Sequence, residues 1–218
     1  EAEREFKRAI ALDSTLATTY HHYGFMLLGT GRSADALPLY ERASRLDPLS
    51  WVIANSYATA LVKNGRVQEA LAVGRRVNDA DPGNALAARG VARAYAALQN
   101  WTQAASSLQR GRLEGRALPE LVLAYVKLNR RREADSVRAV IERYVTDGGR
   151  YADVSWAYAA LGDRARALQW LERAVDRYDG GLISLELPDR AEYDFLRADP
   201  QFKALLVRMG LGPKPPRG

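Results

Sequence analysis

Cysteine is absent from the 218 residues, which excludes disulfides, thiolate nucleophiles, iron–sulfur clusters and cysteine-bound zinc. Histidine is nearly absent: His21 and His22 are the only two, and they are adjacent. On a helix such neighbours diverge by about 100°, whereas a helical metal pair needs i,i+4 spacing. No Asp or Glu stands four residues from either, so they read as packing or partner contacts. With histidine confined there and no serine in an elbow motif, a Ser-His-Asp set is excluded. No metal, cofactor or catalytic residue is expected. Proline is sparse (nine), and with 47% hydrophobic and 27% charged residues the composition is that of a globular chain. No run of 18 apolar residues exists to span a bilayer, and the sequence opens on Glu-Ala-Glu-Arg-Glu where a signal peptide would be apolar. The reading is a soluble, cytoplasmic protein with no membrane partner.

Acidic residues are in deficit, 26 against 32 Lys and Arg, for a net charge of +6. The surplus is dispersed. Residues 1–114 hold 14 basic and 11 acidic side chains and residues 115–218 hold 18 and 15, so each half carries +3. Residues 51–116 are locally richer, with nine basic against four acidic groups. Neither a charge run nor a groove-reading motif accompanies them, so they read as solvated surface before a nucleic-acid footprint.

What the sequence has in quantity is a repeat. Ala2, Ala36, Ala70, Ala104, Ala134 and Ala167 recur at intervals of 34, 34, 34, 30 and 33. Tyr23, Tyr57, Val91, Leu121 and Val154 keep a second fixed offset, and Leu27, Leu61, Tyr95, Tyr125 and Tyr158 follow them four residues later. Small residues at Gly24, Ala58, Ala92 and Ser155 mark places where two helices approach closely. Asp47-Pro48 and Asp81-Pro82 end units, because proline cannot continue a helix and disfavours it in the residue before. Turns fall at Gly31-Arg32, Asn64-Gly65-Arg66, Gln99-Asn100, Asn129-Arg130 and Gly162-Asp163. Gly29-Thr30-Gly31-Arg32-Ser33-Ala34 mimics a dinucleotide fingerprint, but a helix rather than a strand precedes it, so it too is a turn.

This period, its small-large alternation and the terminal Asp-Pro resemble the tetratricopeptide repeat over nearly the whole chain. The resemblance implies an all-α, right-handed α-solenoid of helix-turn-helix units with a C-terminal helical cap. It divides the chain into a lone second helix at 1–16, five repeats at 17–50, 51–84, 85–114, 115–147 and 148–181, a capping segment at 182–211, and a flexible tail at 212–218. Gly74 and Arg138 depart from the pattern by replacing the large apolar residue at the middle of a second helix. The third repeat is four residues short, and Gly111 and Gly115 in that shortening suggest a looser or bent stack. Phe6, Ala9 and Ile10 are left without a first-helix partner, as in a fragment of a longer polypeptide. Near the other end, Leu182–Pro188 reads as an extended crossing, followed by a short helix near 190–197. Asp199 then caps a last helix with Pro200 at its first position, and Phe202, Leu205, Leu206 and Met209 share one face. The run 194–202 with Arg208-Met209-Gly210-Leu211 is similar to the ending of one bacterial subset. In it a repeat array follows a winged-helix, Ser/Thr kinase or nucleotide-cyclase domain.

In such an array the first helices line a concave groove. The repeat phase places His21, His22 and Phe25 there from the first full repeat, and Asn55, Thr59 and Lys63 from the second. Leu86, Arg89 and Arg93 come from the third, and Leu123, Lys127 and Trp156 from the later two. No acidic residue occupies a groove position in the second or third repeat, so Lys63, Arg89 and Arg93 are expected to lack an internal partner and to sit on a solvated face. Trp156 faces either the groove or the C-terminal cap. Some members of the family hold a chaperone's C-terminal carboxylate with Lys, Asn, Asn, Lys and Arg. The corresponding residues here are His21, Phe25, Ser56, Leu86 and Gly90, so that clamp is missing. The expected function is a non-catalytic module binding a peptide or partner protein, acidic in character, in a bacterial signalling or transcription regulator. The alternatives are self-association through the 1–16 helix and, third, a nucleic-acid-binding solenoid.

Overall fold

A computed structural model describes residues 1–110, 118–145, 150–182, 187 and 190–211. Among these all regular structure is helical. The chain divides into two compact units, residues 1–117 and 118–218. Gly111 and Gly115, most of the 182–188 crossing, and the 212–218 tail lie outside the described residues.

The first unit contains α1 (Ala2–Leu12), α2 (Ala17–Gly29), α3 (Ser33–Leu46), α4 (Trp51–Lys63), α5 (Val67–Ala80), α6 (Ala85–Ala97) and α7 (Trp101–Arg110). Helices α2 and α3, α4 and α5, and α6 and α7 pair as hairpins, with α3 against α4, α5 against α6, and α4 against α6. The aligned alanines explain the pairing. Ala36 and Ala70 are fully buried and Ala104 is nearly so, each a small residue that lets a second helix close on the first. Gly24 serves the same end, since a Cβ there would stand 3.1 Å from the Tyr40 ring. Gly74 is not a defect in the pattern: its missing Cβ would lie 3.0 Å from the Val91 backbone nitrogen, so glycine permits the α5–α6 contact. Helices α3 and α5 stop at Asp47 and Asp81, whose extended backbone precedes Pro48 and Pro82.

The second unit contains α8 (Leu118–Lys127), α9 (Arg131–Arg143), α10 (Tyr151–Ala160), α11 (Arg164–Asp176), a 3₁₀ helix (Ala191–Leu196) and α12 (Pro200–Arg208). Helix α8 pairs with α9, α10 with α11, and α8 packs on α10. Arg138, the second departure, lays its guanidinium over the Tyr158 ring and bonds to Glu142, so its stem fills the place of an apolar side chain. Asp199 caps α12 by accepting from the Gln201 and Phe202 amides, and Phe202 and Leu205 are buried.

One device closes all five hairpins. Gly31, Gly65, Gln99, Asn129 and Gly162 have φ between 57° and 80°, the left-handed region that glycine and asparagine enter most readily. After each, an amide reaches back across the turn: Arg32 to Leu27, Arg66 to Leu61, Asn100 to Tyr95, Arg130 to Tyr125 and Asp163 to Tyr158, at 2.8–2.9 Å. These are Schellman closures, satisfying carbonyls that the helix end would leave open. The acceptors are the residues of the repeat's Leu/Tyr offset, so a single position contributes both a core side chain and the turn's carbonyl.

Helix α1 packs on the first helix of the repeat that follows it. Phe6 stacks on Tyr23 with centroids 5.4 Å apart, and Ile10 packs against the same core. Glu3 accepts from the Tyr23 hydroxyl and pairs with Arg32 and Lys7, chiefly Arg32, which together hold its carboxyl at about 2. Ala2, Glu5, Phe6 and Ala9 line a shallow cavity of about 380 Å³.

Candidate functional site

In the first unit α2, α4 and α6 present one row of side chains. His21 Nε2 lies 3.0 Å from Ser56 Oγ, joining α2 to α4. Burial, with a smaller contribution from the charge of His22, pushes the His21 imidazole down to about 4. It is therefore neutral at pH 7. Phe25 stacks beside it and remains 37% exposed, and His22 is exposed as well. On α4, Thr59 donates to the Asn55 carbonyl at 2.9 Å, and Arg93 of α6 donates to Thr59 Oγ1. Asn55 Oδ1 is buried and has no donor among the described residues. Leu86 is half-buried at the start of α6, its amide held by Asn84.

The cations differ from expectation. Arg89 is only 7% exposed, so it does not sit on a solvated face. Repeat phase fixes the direction in which a side chain leaves its helix, not how far its long stem is then covered. Nor do Lys63, Arg89 and Arg93 lack partners: each is engaged within the protein. Three more of the basic residues in this region are engaged too. Arg66 pairs with Glu69, Arg75 bonds the Tyr95 hydroxyl at 2.6 Å, and Arg76 bonds Ser44 at 2.9 Å.

In the second unit Lys127 is exposed and Leu123 half-buried on α8. Trp156 is 2% exposed on α10 and lies beneath Arg190, whose Cζ stands 3.9 Å from the ring centroid. Of its two expected settings it takes the cap. Asp153, 3% exposed, pairs with Arg150. Sequence reasoning passed over Arg190 and Tyr193. Tyr193 is fully buried, its hydroxyl 2.8 Å from Ser155 Oγ, and burial drives its ionisation far upward. Their contacts with α10 span 34 and 38 residues, which no local spacing encodes; the one available signal is an arginine directly ahead of a short apolar-spaced segment. Among the described residues no group of three His, Asp or Glu could hold a metal, and no helix is long and apolar enough to cross a membrane.

Antiparallel helical hairpins with a shared closing device and first helices in register define an α-solenoid. Solved structures agree. A thermophilic tetratricopeptide-repeat protein of Thermus thermophilus matches at 21% identity over 79% of this chain and all of its own, with a TM-score of 0.60. A tetratricopeptide-repeat protein from Parabacteroides merdae matches at 19% over 96% of this chain and 89% of its own, with a TM-score of 0.51. PilF of Pseudomonas aeruginosa matches at 15%, over 84% and 86%, also at 0.51. At these identities the likeness is one of fold. Two family models, both described as tetratricopeptide repeat, match residues 27–85 and 61–124. Residues 27–124 carry tetratricopeptide repeats. No curated protein matches it in sequence.

Proposed function

We propose that the chain is a non-catalytic interaction module whose first unit binds an extended segment of a partner protein along α2, α4 and α6. One observation carries this reading: Asn55 Oδ1 is a buried acceptor with no donor among the described residues. A peptide amide laid across α4 supplies that donor, and a buried acceptor left open is costly enough to favour it. Phe25 offers an exposed aromatic face at one end of the row, and Arg93 and Lys63, both half-buried, favour an acidic partner at the other. A carboxylate there exchanges with the groups these cations now contact.

Fluorescence anisotropy against acidic peptides at two salt concentrations tests the reading. Asn55→Ala and Arg93→Gln are each expected to weaken binding about tenfold with the melting temperature nearly unchanged, and higher salt is expected to weaken it further. Equal binding by wild type and both variants defeats the proposal. Arg89 is a poor probe, because reversing a charge that is 7% exposed perturbs folding first. The similarity of residues 194–202 and 208–211 to the ending of bacterial regulators supports placing the module in a cytoplasmic signalling or transcription regulator.

A second reading has its own observation. The cavity beside Ala2, Phe6 and Ala9, with Leu12 80% exposed on the same helix, supports self-association through α1. Light scattering that stays at monomer mass as concentration rises removes it.

A further inference from the structure

The face of α10 that bears Trp156 already holds a side chain of a particular kind. Arg190 lies over the indole at 3.9 Å from the ring centroid, and Trp156 keeps only 2% of its surface. Tryptophan offers a cation the strongest ring quadrupole, and a planar guanidinium stacks on it as an ammonium cannot. This contact is not a by-product of helical adjacency. Arg173 over Trp170 is such a by-product, three residues apart on one helix. Arg190 reaches Trp156 from 34 residues away, delivered by a segment that Tyr193 anchors to Ser155.

Two further features fit a ligand of the same chemistry. Trp156 Nε1 is buried with no acceptor among the described residues. An indole N–H can only donate, and a backbone carbonyl beside a stacked arginine is the acceptor it needs. One turn earlier on α10 stands Asp153, a carboxylate 3% exposed that already pairs with one arginine, Arg150. Little water screens its field, so it favours a cation over a neutral isostere.

We propose that Trp156 and Asp153 form a recognition site for an arginine carried on an extended peptide, and that Arg190 of this chain fills the site in cis. An arginine-bearing partner enters only by exchanging with Arg190. The C-terminal segment is thus a competitor built into the second unit, in contrast to the acidic partner proposed for the first.

The test uses the full chain, with N-acetyl-arginine amide as probe and the neutral isostere N-acetyl-citrulline amide as control. The Trp156 indole N–H resonance, assigned through Trp156→Phe, reports occupancy. In Arg190→Ala the arginine probe is expected to shift that resonance saturably, with affinity about tenfold above that of citrulline and about tenfold above that of wild type, where Arg190 competes. Arg190→Gln keeps the stem over the indole and replaces the alanine variant should that one lose its helical circular dichroism. Wild type gives an independent reading, since excess probe must displace Arg190 and move the same resonance. Identical titrations of wild type and variant, equal response to arginine and citrulline, or a resonance that never moves in any of the three proteins overturns the proposal.

Discussion

The two units place first helices in the same repeat phase and use them differently. In the first, the row from His21 to Arg93 is polar, bonded side chain to side chain, and flanked by the exposed Phe25. In the second, the corresponding face of α10 is covered: Trp156 lies under Arg190, and Ser155 is tied to Tyr193. A repeat therefore specifies where a first-helix face will lie, and the segment that follows it decides whether the face is open. Position in the period is not function by itself.

That contrast breaks most visibly at Tyr193. Its side chain is fully buried, stacks on Phe202 at 5.9 Å and reaches Ser155. Tyr193→Ala is expected to destabilise the second unit by about 3–5 kcal/mol, the usual cost of deleting a large buried aromatic. Denaturant titration followed at the tryptophans should show Trp156 and Trp170 exposed at lower denaturant than Trp51 and Trp101. Four tryptophans that move together, or an unshifted midpoint, would show that the C-terminal segment does not hold the second unit.

The first unit holds both histidines, and His21 gives it a pH dependence of its own. His21 is neutral in the fold, its ionisation lowered from 6.5 to about 4 mainly by burial. The unfolded chain takes up that proton first as pH falls below 6.5. Stability from His21 is therefore complete above pH 6.5 and is lost on descending to pH 4, by roughly 3 kcal/mol when fully developed. His21→Gln should flatten the stability-versus-pH curve across this window, leaving the slope of carboxylates such as the half-buried Glu3. A curve with the same slope in both proteins would mean that the imidazole ionises as freely in the fold as in the unfolded chain.

The smallest effect lies at the turns. Gln99 holds φ of 58° where Gly31 and Gly65 serve the neighbouring hairpins. Gln99→Gly should relieve local strain and stabilise the chain by up to about 1 kcal/mol, less the backbone entropy glycine adds to the unfolded state. A lower melting temperature would show that the entropy outweighs the strain.

Much of the fold was legible because the residues that form turns are the residues that sequence can announce. Glycine and asparagine in left-handed turns, proline after aspartate and a fixed Leu/Tyr offset are each local, and each reappears as a hydrogen bond or a buried side chain. Gly74 was legible only as an anomaly, because its reason is the backbone of Val91, 17 residues on in the chain. The candidate site was legible in direction alone. Phase located His21, Asn55, Thr59 and Arg93 on one face, yet it could not say that Arg89 is covered or that Arg190 caps Trp156. Burial of long side chains depends on neighbours that no period encodes.

The five turn closures have a consequence for how the chain opens. Amides in turns ordinarily exchange with solvent within seconds, but those of Arg32, Arg66, Asn100, Arg130 and Asp163 each span a turn to a carbonyl in the helix before it. Each is released only when its own hairpin parts. The molecule thus carries one hydrogen-exchange clock per hairpin, and the spread of their rates is a map of which repeats breathe while the others stay shut.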